Sequence, residues 1–201
     1  MKVRERSVFR RIQSLITRRR SGGRKRILFL DDHVPYPELG VGYPRARKIL
    51  HALHETGYAV TFLPLEYPQD DGPSLQRVLP AGMEVVLDVS PSQLSSFMAS
   101  RPGHFDLVFV SRPNNLRSYL SAIREIQPSA KPVPLIYDAE AIWAEREILK
   151  RAVDGSPMSA AEQVSSLEAE INLTKAASQS GFSRRMDESG PATSEKSRWC
   201  V

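Results

Sequence analysis

The feature that most constrains the fold of this chain is a series of short apolar runs separated by segments of helical periodicity. The runs are RILFLD at 26–31, YAVTFL at 58–63, FDLVFVS at 105–111 and PLIYD at 134–138, with a weaker run at 84–88. Runs that are apolar at successive positions are typical of strands buried on both faces of a parallel sheet. Strands that alternate with helices in this way predict an α/β fold, with a parallel sheet and helices on both faces.

Helices are predicted in most of the segments between these strands. In the helix over 44–56, Pro44 suits the first helical position and Gly57 follows the last turn. Further helices are predicted after Ser90, around 114–127, and over 139–152 and 158–177. Residues 64–82 are rich in Pro, Asp and Gly, which predicts a loop.

The charge of the chain is concentrated at one end. Residues 1–26 contain eleven Lys and Arg against one Glu, although the whole 201-residue chain has a net charge of only +5. We therefore predict a basic extension over 1–25 and a mildly acidic domain over 26–177. The apolar positions of the extension fit one face of an amphipathic helix on an anionic membrane, or else the segment is a solvated extension. Because the basic charge lies off the predicted fold, no nucleic-acid partner is expected.

The C-terminal segment and the composition of the chain indicate where it is ordered and in which compartment it is expected. Residues 178–201 show no periodicity and consist mostly of turn-forming and charged residues, which predicts a disordered tail. No apolar run approaches the ~18 residues of a membrane-spanning helix, and no secretory signal is recognised. Cys200 is the only cysteine, which favours a reducing compartment. A cytoplasmic location, with peripheral attachment to the inner face of the membrane, is the expectation.

Polar residues follow three of the predicted strands. They form the groups Asp31-Asp32-His33, Ser111-Arg112 and Asp138-Ala139-Glu140. Ligands of parallel sheets bind beyond the carboxyl ends of the strands, so Asp32, His33 and Arg112 are predicted to line a site there. His33 also fits an ordinary loop histidine. Neighbouring residues at one strand end diverge, so no metal site is predicted, and no cofactor is expected either.

The loop LGVGYPR at 39–45 is a candidate phosphate-binding element. Gly40 and Gly42 offer backbone N–H groups without side chains in the way, beside the start of the helix at Pro44. Arg45 in the first helical turn would add a charge-assisted hydrogen bond. The alternative is that both glycines serve only a tight turn and Arg45 is solvated.

Two carboxylates after the fifth strand are the candidate catalytic groups. Asp138 and Glu140 can orient a hydroxyl group or accept its proton. They suit equally well the N-cap and first turn of the helix that follows.

The order and spacing of these segments resemble one known family. RILFLDDHVPYPELGVGYPRARKILHALHETGYAVTFLPLE is similar to the start of bacterial family-4-type (group 1) glycosyltransferases of the GT-B fold. FDLVFVSRPNN, LIYDAEAIWAEREI and EAEINLTKAA resemble later segments of the same domain, so that the similarity covers about 26–177. The resemblance implies a Rossmann-like, acceptor-side domain that acts with a nucleotide sugar and a glycan or lipid-linked acceptor.

The resemblance also implies roles and omissions. It implies that Gly40, Gly42 and Arg45 contact the donor phosphates and that Asp138 and Glu140 act on the acceptor. Glu162 and Glu170 match the spacing of a donor-recognition motif that relatives carry in their second domain, so this match is interpreted as chance. The expectation is therefore a half-enzyme, truncated relative to its family and inactive alone. The alternative is a non-catalytic glycan-binding or regulatory module at the membrane surface.

Overall fold

A five-stranded, entirely parallel sheet forms the centre of the protein. The computed structural model of the chain describes residues 23–40, 42–66, 72–125 and 133–182. The strands are β1 (Arg26–Asp31), β2 (Ala59–Pro64), β3 (Glu84–Val85), β4 (Leu107–Ser111) and β5 (Leu135–Asp138). Their order in the sheet is β3-β2-β1-β4-β5. The predicted α/β fold with a Rossmann-like parallel sheet is confirmed.

Helices cover both faces of this sheet. They are α1 (Tyr43–Glu55), α2 (Gly72–Val78), α3 (Leu94–Ala99), α4 (Pro113–Glu125), α5 (Trp143–Val153) and α6 (Ala160–Phe182). Successive strand residues point to opposite faces, which divides the core into two layers. Phe29 of β1 packs with α1, whereas Leu28 and Leu30 pack with α3 and α4.

The direction of the chain across the sheet reverses beside β1. β2 and β3 lie on one side of β1, and β4 and β5 lie on the other. The connections that leave β1 and β4 therefore diverge at the carboxyl edge of the sheet, and we call the region between them the crevice. In open α/β sheets this point of reversal is where ligands bind.

Two predicted segments differ from the structure in the first half of the chain. Residues 64–82 are not all loop, because α2 spans Gly72–Val78. A helix of seven residues is too short to show a helical periodicity, and the Gly and Pro at its start favour a loop prediction. The third strand is only Glu84–Val85, shorter than the predicted run at 84–88, and it pairs with β2 at the edge of the sheet.

The predicted ends of the domain also change. α6 continues to Phe182, five residues beyond the predicted end of the domain, and residues 183–201 of the predicted tail lie outside the described part. Extending an existing helix adds a hydrogen bond per residue without a new nucleation cost. Residues 1–22 of the basic extension, with its predicted amphipathic helix, also lie outside the described part. Its last residues join the fold, because Arg24 donates to the carbonyl of Gly57 and the carbonyl of Lys25 accepts from Ala59.

Candidate functional site

Arg112 lies at the centre of the crevice at the carboxyl edge. It follows β4 directly, and its side chain is only 4% exposed. Its Nη1 donates to Asp32 at 2.6 Å and its Nε donates to Glu140 at 3.0 Å, while Asp31 lies 3.4 Å from Nη1. The arginine thus joins the end of β4 to the ends of β1 and β5.

Two further residues complete the surroundings of this guanidinium. The ring of Tyr43 lies beneath it, 4.1 Å from the guanidinium carbon, and the Tyr43 hydroxyl accepts a hydrogen bond from Nη1 at 2.8 Å. Such stacking of a cation on an aromatic face is favourable and is stronger away from water. Asn115 donates to Asp32 at 2.7 Å, which holds the same carboxylate from the side of α4.

Backbone strain is concentrated at the contact between Arg112 and Glu140. Arg112 and Glu140 have φ angles of 71° and 60°, and they are the only non-glycine residues of the described segments with positive φ. A left-handed conformation costs a residue with a side chain about 1–3 kcal/mol. The two strained residues are hydrogen-bonded to each other, so the ion pair offsets part of that cost.

Asp31 is the most deeply buried charge of the site. Its side chain is fully buried, and burial raises its pKa to about 7, although the nearby Arg112 acts in the opposite direction. Its Oδ1 accepts the N–H of Asp32, whereas Oδ2 has no hydrogen-bond partner among the described residues. The site therefore contains a carboxyl group that changes its charge near neutral pH.

The pKa values of Arg112 and Tyr43 are shifted by the same network of charges and by burial. Burial lowers the pKa of Arg112, but the carboxylates of Asp31, Asp32 and Glu140 outweigh burial and raise it above its ordinary range. Burial also raises the pKa of the Tyr43 phenol. Arg112 is therefore a permanent cation and Tyr43 remains a hydrogen-bonding phenol at any physiological pH.

The loop predicted to bind phosphate is closed by a carboxylate. A β-carbon built on Gly42 would collide with the carboxylate of Glu140, so the Glu140 side chain covers this glycine. Gly42 has an ordinary φ of −76° and is the N-cap of α1. An anion already lies at the start of this helix, where the macrodipole favours negative charge. Gly40 is exposed on the outside of the loop, with a φ of 138°.

Arg45 and Asp138 form a second ion pair beside the first. The Nη1 of Arg45 donates to Oδ2 of Asp138, joining the first turn of α1 to the end of β5. The side chain of Asp138 is 14% exposed and that of Arg45 is 34% exposed. Both groups predicted to contact a ligand therefore contact each other in this structure.

His33 lies at the rim of the crevice. Its Nε2 lies 3.0 Å from Glu66, which follows β2, and its ring lies 6.0 Å from that of Tyr43. His33 is about one third exposed, so it borders the crevice from the solvent side.

The sequence-predicted residues thus fall into three groups. Asp32, Arg112, Glu140 and Gly42 meet in one cluster, Arg45 and Asp138 pair beside it, and His33 and Gly40 are peripheral. Tyr43 and Asn115 were not predicted. Asn115 stands four residues after Ser111, one helical turn beyond a strand end, and its amide also donates to the Ser111 carbonyl. That spacing was a signal available in the sequence.

The glutamates of the apparent donor motif cap helices. Glu170 of α6 accepts the backbone N–H groups of Trp143 and Ala144 at 3.1 and 2.7 Å, at the start of α5. Glu162 accepts the N–H and the hydroxyl of Ser159 at the start of its own helix. Both contacts satisfy N–H groups that a helix start leaves free, which supports interpreting the motif as chance.

The crevice carries more negative than positive groups. Four carboxylates, those of Asp31, Asp32, Asp138 and Glu140, surround the two guanidinium groups. Within the described ranges, no group of three or more His, Cys, Asp or Glu side chains converges in a way that could hold a metal ion. The positive charge of each arginine is therefore balanced by at least one carboxylate in direct contact with it.

Comparisons with known proteins add no assignment. No family model, no curated protein and no solved structure matches the chain. None of the helices in the described segments combines the length and the apolar character needed to cross a bilayer. The fold and the site define an α/β protein with a Rossmann-like sheet and a charged crevice where the strand order reverses.

Proposed function

We propose that this protein is the acceptor-side domain of a glycosyltransferase that uses a nucleotide sugar, and that the Arg112 crevice binds the hydroxyl-rich acceptor. The observation that carries the proposal is the convergence of Asp32, Glu140 and Tyr43 on one buried arginine at the strand-order reversal. The resemblance over 26–177 supports the same class of reaction. A glycan or a lipid-linked sugar is the acceptor that the resemblance implies.

The charge of the crevice favours a neutral ligand over an anion. Both arginines are compensated by carboxylates, so a phosphate approaching the crevice meets a negative surface. Carboxylate oxygens accept several hydrogen bonds each, which suits the adjacent hydroxyl groups of a sugar. The acceptor is therefore the ligand that this edge recognises in its present arrangement.

Donor binding, under this proposal, requires two ion pairs to open. A diphosphate at Gly42 has to displace the carboxylate of Glu140, and its charge competes with Asp138 for Arg45. Opening releases Asp138 and Glu140, the two groups proposed to orient the acceptor hydroxyl and accept its proton. Donor and acceptor binding are thereby coupled through the same carboxylates.

Ligand binding by the 201-residue chain tests the proposal directly. We expect a panel of neutral mono- and disaccharides to shift the NMR signals of Tyr43, Arg112 and Asn115. Asp32→Asn should weaken this binding, whereas the matched change Asp88→Asn, at an exposed position, should leave it unchanged. Shifts confined to other surfaces, or equal effects of the two variants, would contradict the assignment of the crevice.

A non-catalytic glycan-binding module is the second candidate. It is favoured by one observation: Asp138 and Glu140, the candidate bases, are each bound to an arginine. The two candidates differ in turnover. Sugar transfer from a nucleotide sugar, measured with a donor-binding domain supplied, supports the transferase, whereas saccharide binding without transfer supports the module.

A further inference from the structure

A second concave surface lies at the opposite, amino edge of the sheet. Its volume is about 250 Å³, and its lining includes Arg24, Arg26, His54, Tyr58, Glu84 and His104. These residues come from the start of β1, from the segments that enter β1, β2 and β4, from the end of α1 and from β3. The pocket is separated from the Arg112 crevice by the length of the strands, so the proposed acceptor site makes no use of it.

Two arginines of this amino-edge pocket have uncompensated charges. Arg24 uses its Nε to bind the carbonyl of Gly57, and Arg26 contributes its backbone N–H to Asp106. Both side chains are exposed, and neither guanidinium forms an ion pair within the described residues.

The acidic group that lines the pocket is already neutralised. Glu84 accepts hydrogen bonds from Thr61 at 2.6 Å and from Arg101 at 2.8 Å. Burial raises the pKa of Glu84, but these hydrogen bonds outweigh it and lower the pKa. Three arginines, Arg24, Arg26 and Arg101, thus lie in or beside the pocket with two carboxylates, those of Glu84 and Asp106. His54 and His104 add further hydrogen-bond donors.

His104 reports the sign of the local potential. Burial lowers its pKa, and the charges of Arg26 and Arg101 lower it further against the opposing Glu84 and Asp106. A neighbouring cation disfavours the protonated imidazole. The arginines therefore dominate the field at this position, which is the condition under which an anion is attracted.

We propose that the amino-edge pocket binds a phosphate group, as a phosphomonoester or diphosphate. Guanidinium groups bind phosphate through charge-assisted hydrogen bonds, and the histidines and Tyr58 supply further donors. The chain before Gly23 contains eight Lys and Arg against one Glu, so the most basic segment of the sequence joins the fold beside this pocket. A lipid headgroup and a soluble phosphate compound share the recognised chemistry.

The test uses the full chain with two probes. Pyrophosphate in solution is titrated while the NMR signals of the His104 ring and the Gly82 amide are followed. Vesicles of phosphatidylcholine, with or without phosphatidic acid, are co-sedimented with the protein. Arg24→Gln combined with Arg26→Gln is the test variant, and Arg117→Gln combined with Arg124→Gln, on the exposed side of α4, is a control with the same change in charge.

We expect the test variant to weaken binding of at least one probe about tenfold or more, and the control to change it less than about twofold. If the test variant loses affinity for pyrophosphate, the ligand is a soluble phosphate compound. If it loses affinity only for vesicles with phosphatidic acid, the ligand is a lipid headgroup. Anion binding should also raise the pKa of His104, which is measured in the unmodified protein and does not depend on the folding of a variant. Equal effects of the two double variants on both probes, or an unchanged His104 pKa at saturation, overturn the proposal.

Discussion

The carboxylate of Glu140 lies over the α-carbon of Gly42, where a side chain would stand if residue 42 were not glycine. The Gly42 backbone itself accepts any residue, because its φ is −76°. A positive φ therefore does not oppose a substitution at this position. What opposes it is the neighbour held in place by Arg112.

Gly42→Ala is therefore expected to push Glu140 away from Arg112. The loss of this charge-assisted hydrogen bond should lower the free energy of unfolding by about 1–2 kcal/mol. In the double variant with Glu140→Ala the clash is absent, so the two costs should not add, and the coupling in a double-mutant cycle should be about 1 kcal/mol. Chemical denaturation measures all four proteins. Additive costs would mean that Glu140 is not held over Gly42 in solution.

Arg112→Lys is expected to destabilise the protein although it keeps the charge. A lysine cannot contact Asp32, Glu140 and the Tyr43 ring together as the planar guanidinium does. We expect a loss of about 2 kcal/mol, from hydrogen bonds of charged groups that end unsatisfied. The matched change Arg117→Lys, at an exposed position of α4, should stay within about 0.5 kcal/mol. Similar values for the two would show that the geometry around Arg112 contributes little.

The titration of Asp31 predicts a pH dependence with a definite sign. Burial raises the pKa of Asp31 to about 7 in the folded protein, from an ordinary value of 3.8. Between these values the folded protein keeps a proton that the unfolded chain has lost. Stability relative to Asp31→Asn should therefore fall as pH rises from about 4 to 7, by about 1.4 kcal/mol per pH unit, and level off above 7.

Denaturation of wild type and Asp31→Asn at several pH values measures this dependence, with Asp88→Asn as an exposed control. If the stability of wild type relative to Asp31→Asn instead rises with pH, the Asp31 carboxylate is stabilised by Arg112 and its pKa is lowered. That result would exclude burial as the dominant effect on the pKa.

Glu170→Ala separates the capping role from donor recognition. The change removes the acceptor for Trp143 and Ala144 N–H at the start of α5, so we expect a loss of about 1–2 kcal/mol. Glu168→Ala, an exposed neighbour on the same helix, should have little effect. Calorimetry with a panel of nucleotide sugars provides the second measurement. A variant that kept its stability and lost nucleotide-sugar binding would restore the donor-motif interpretation.

Removal of residues 1–22 is expected to leave the folded domain intact. The deletion stops short of Arg24 and Lys25, which bind the backbone near β2, so the thermal midpoint should stay within about 2 °C. Loss of eight basic residues, each worth about 1 kcal/mol near an anionic surface, should reduce salt-sensitive binding to anionic vesicles. Unchanged co-sedimentation with these vesicles would refute a membrane role for the extension.

The strands show how far the sequence predicts this fold. β1 is predicted at its observed limits, because an apolar run with a charged residue at each end needs no tertiary information to be recognised. α2 is missed because its seven residues give no helical period. α6 extends beyond its predicted end because lengthening an existing helix adds a hydrogen bond per residue without a new nucleation cost.

The sequence alone determined the layered α/β fold and the edge at which polar residues collect, because burial of apolar strands on both faces dictates the pattern of side chains. The order of the strands decided the rest. It brings Arg112 to Asp32 across 80 positions and to Glu140 across 28, and it places Glu140 over Gly42. Spacing along a chain does not specify such contacts, since a long-range ion pair depends on which strands become neighbours and on the left-handed backbone at Arg112 and Glu140.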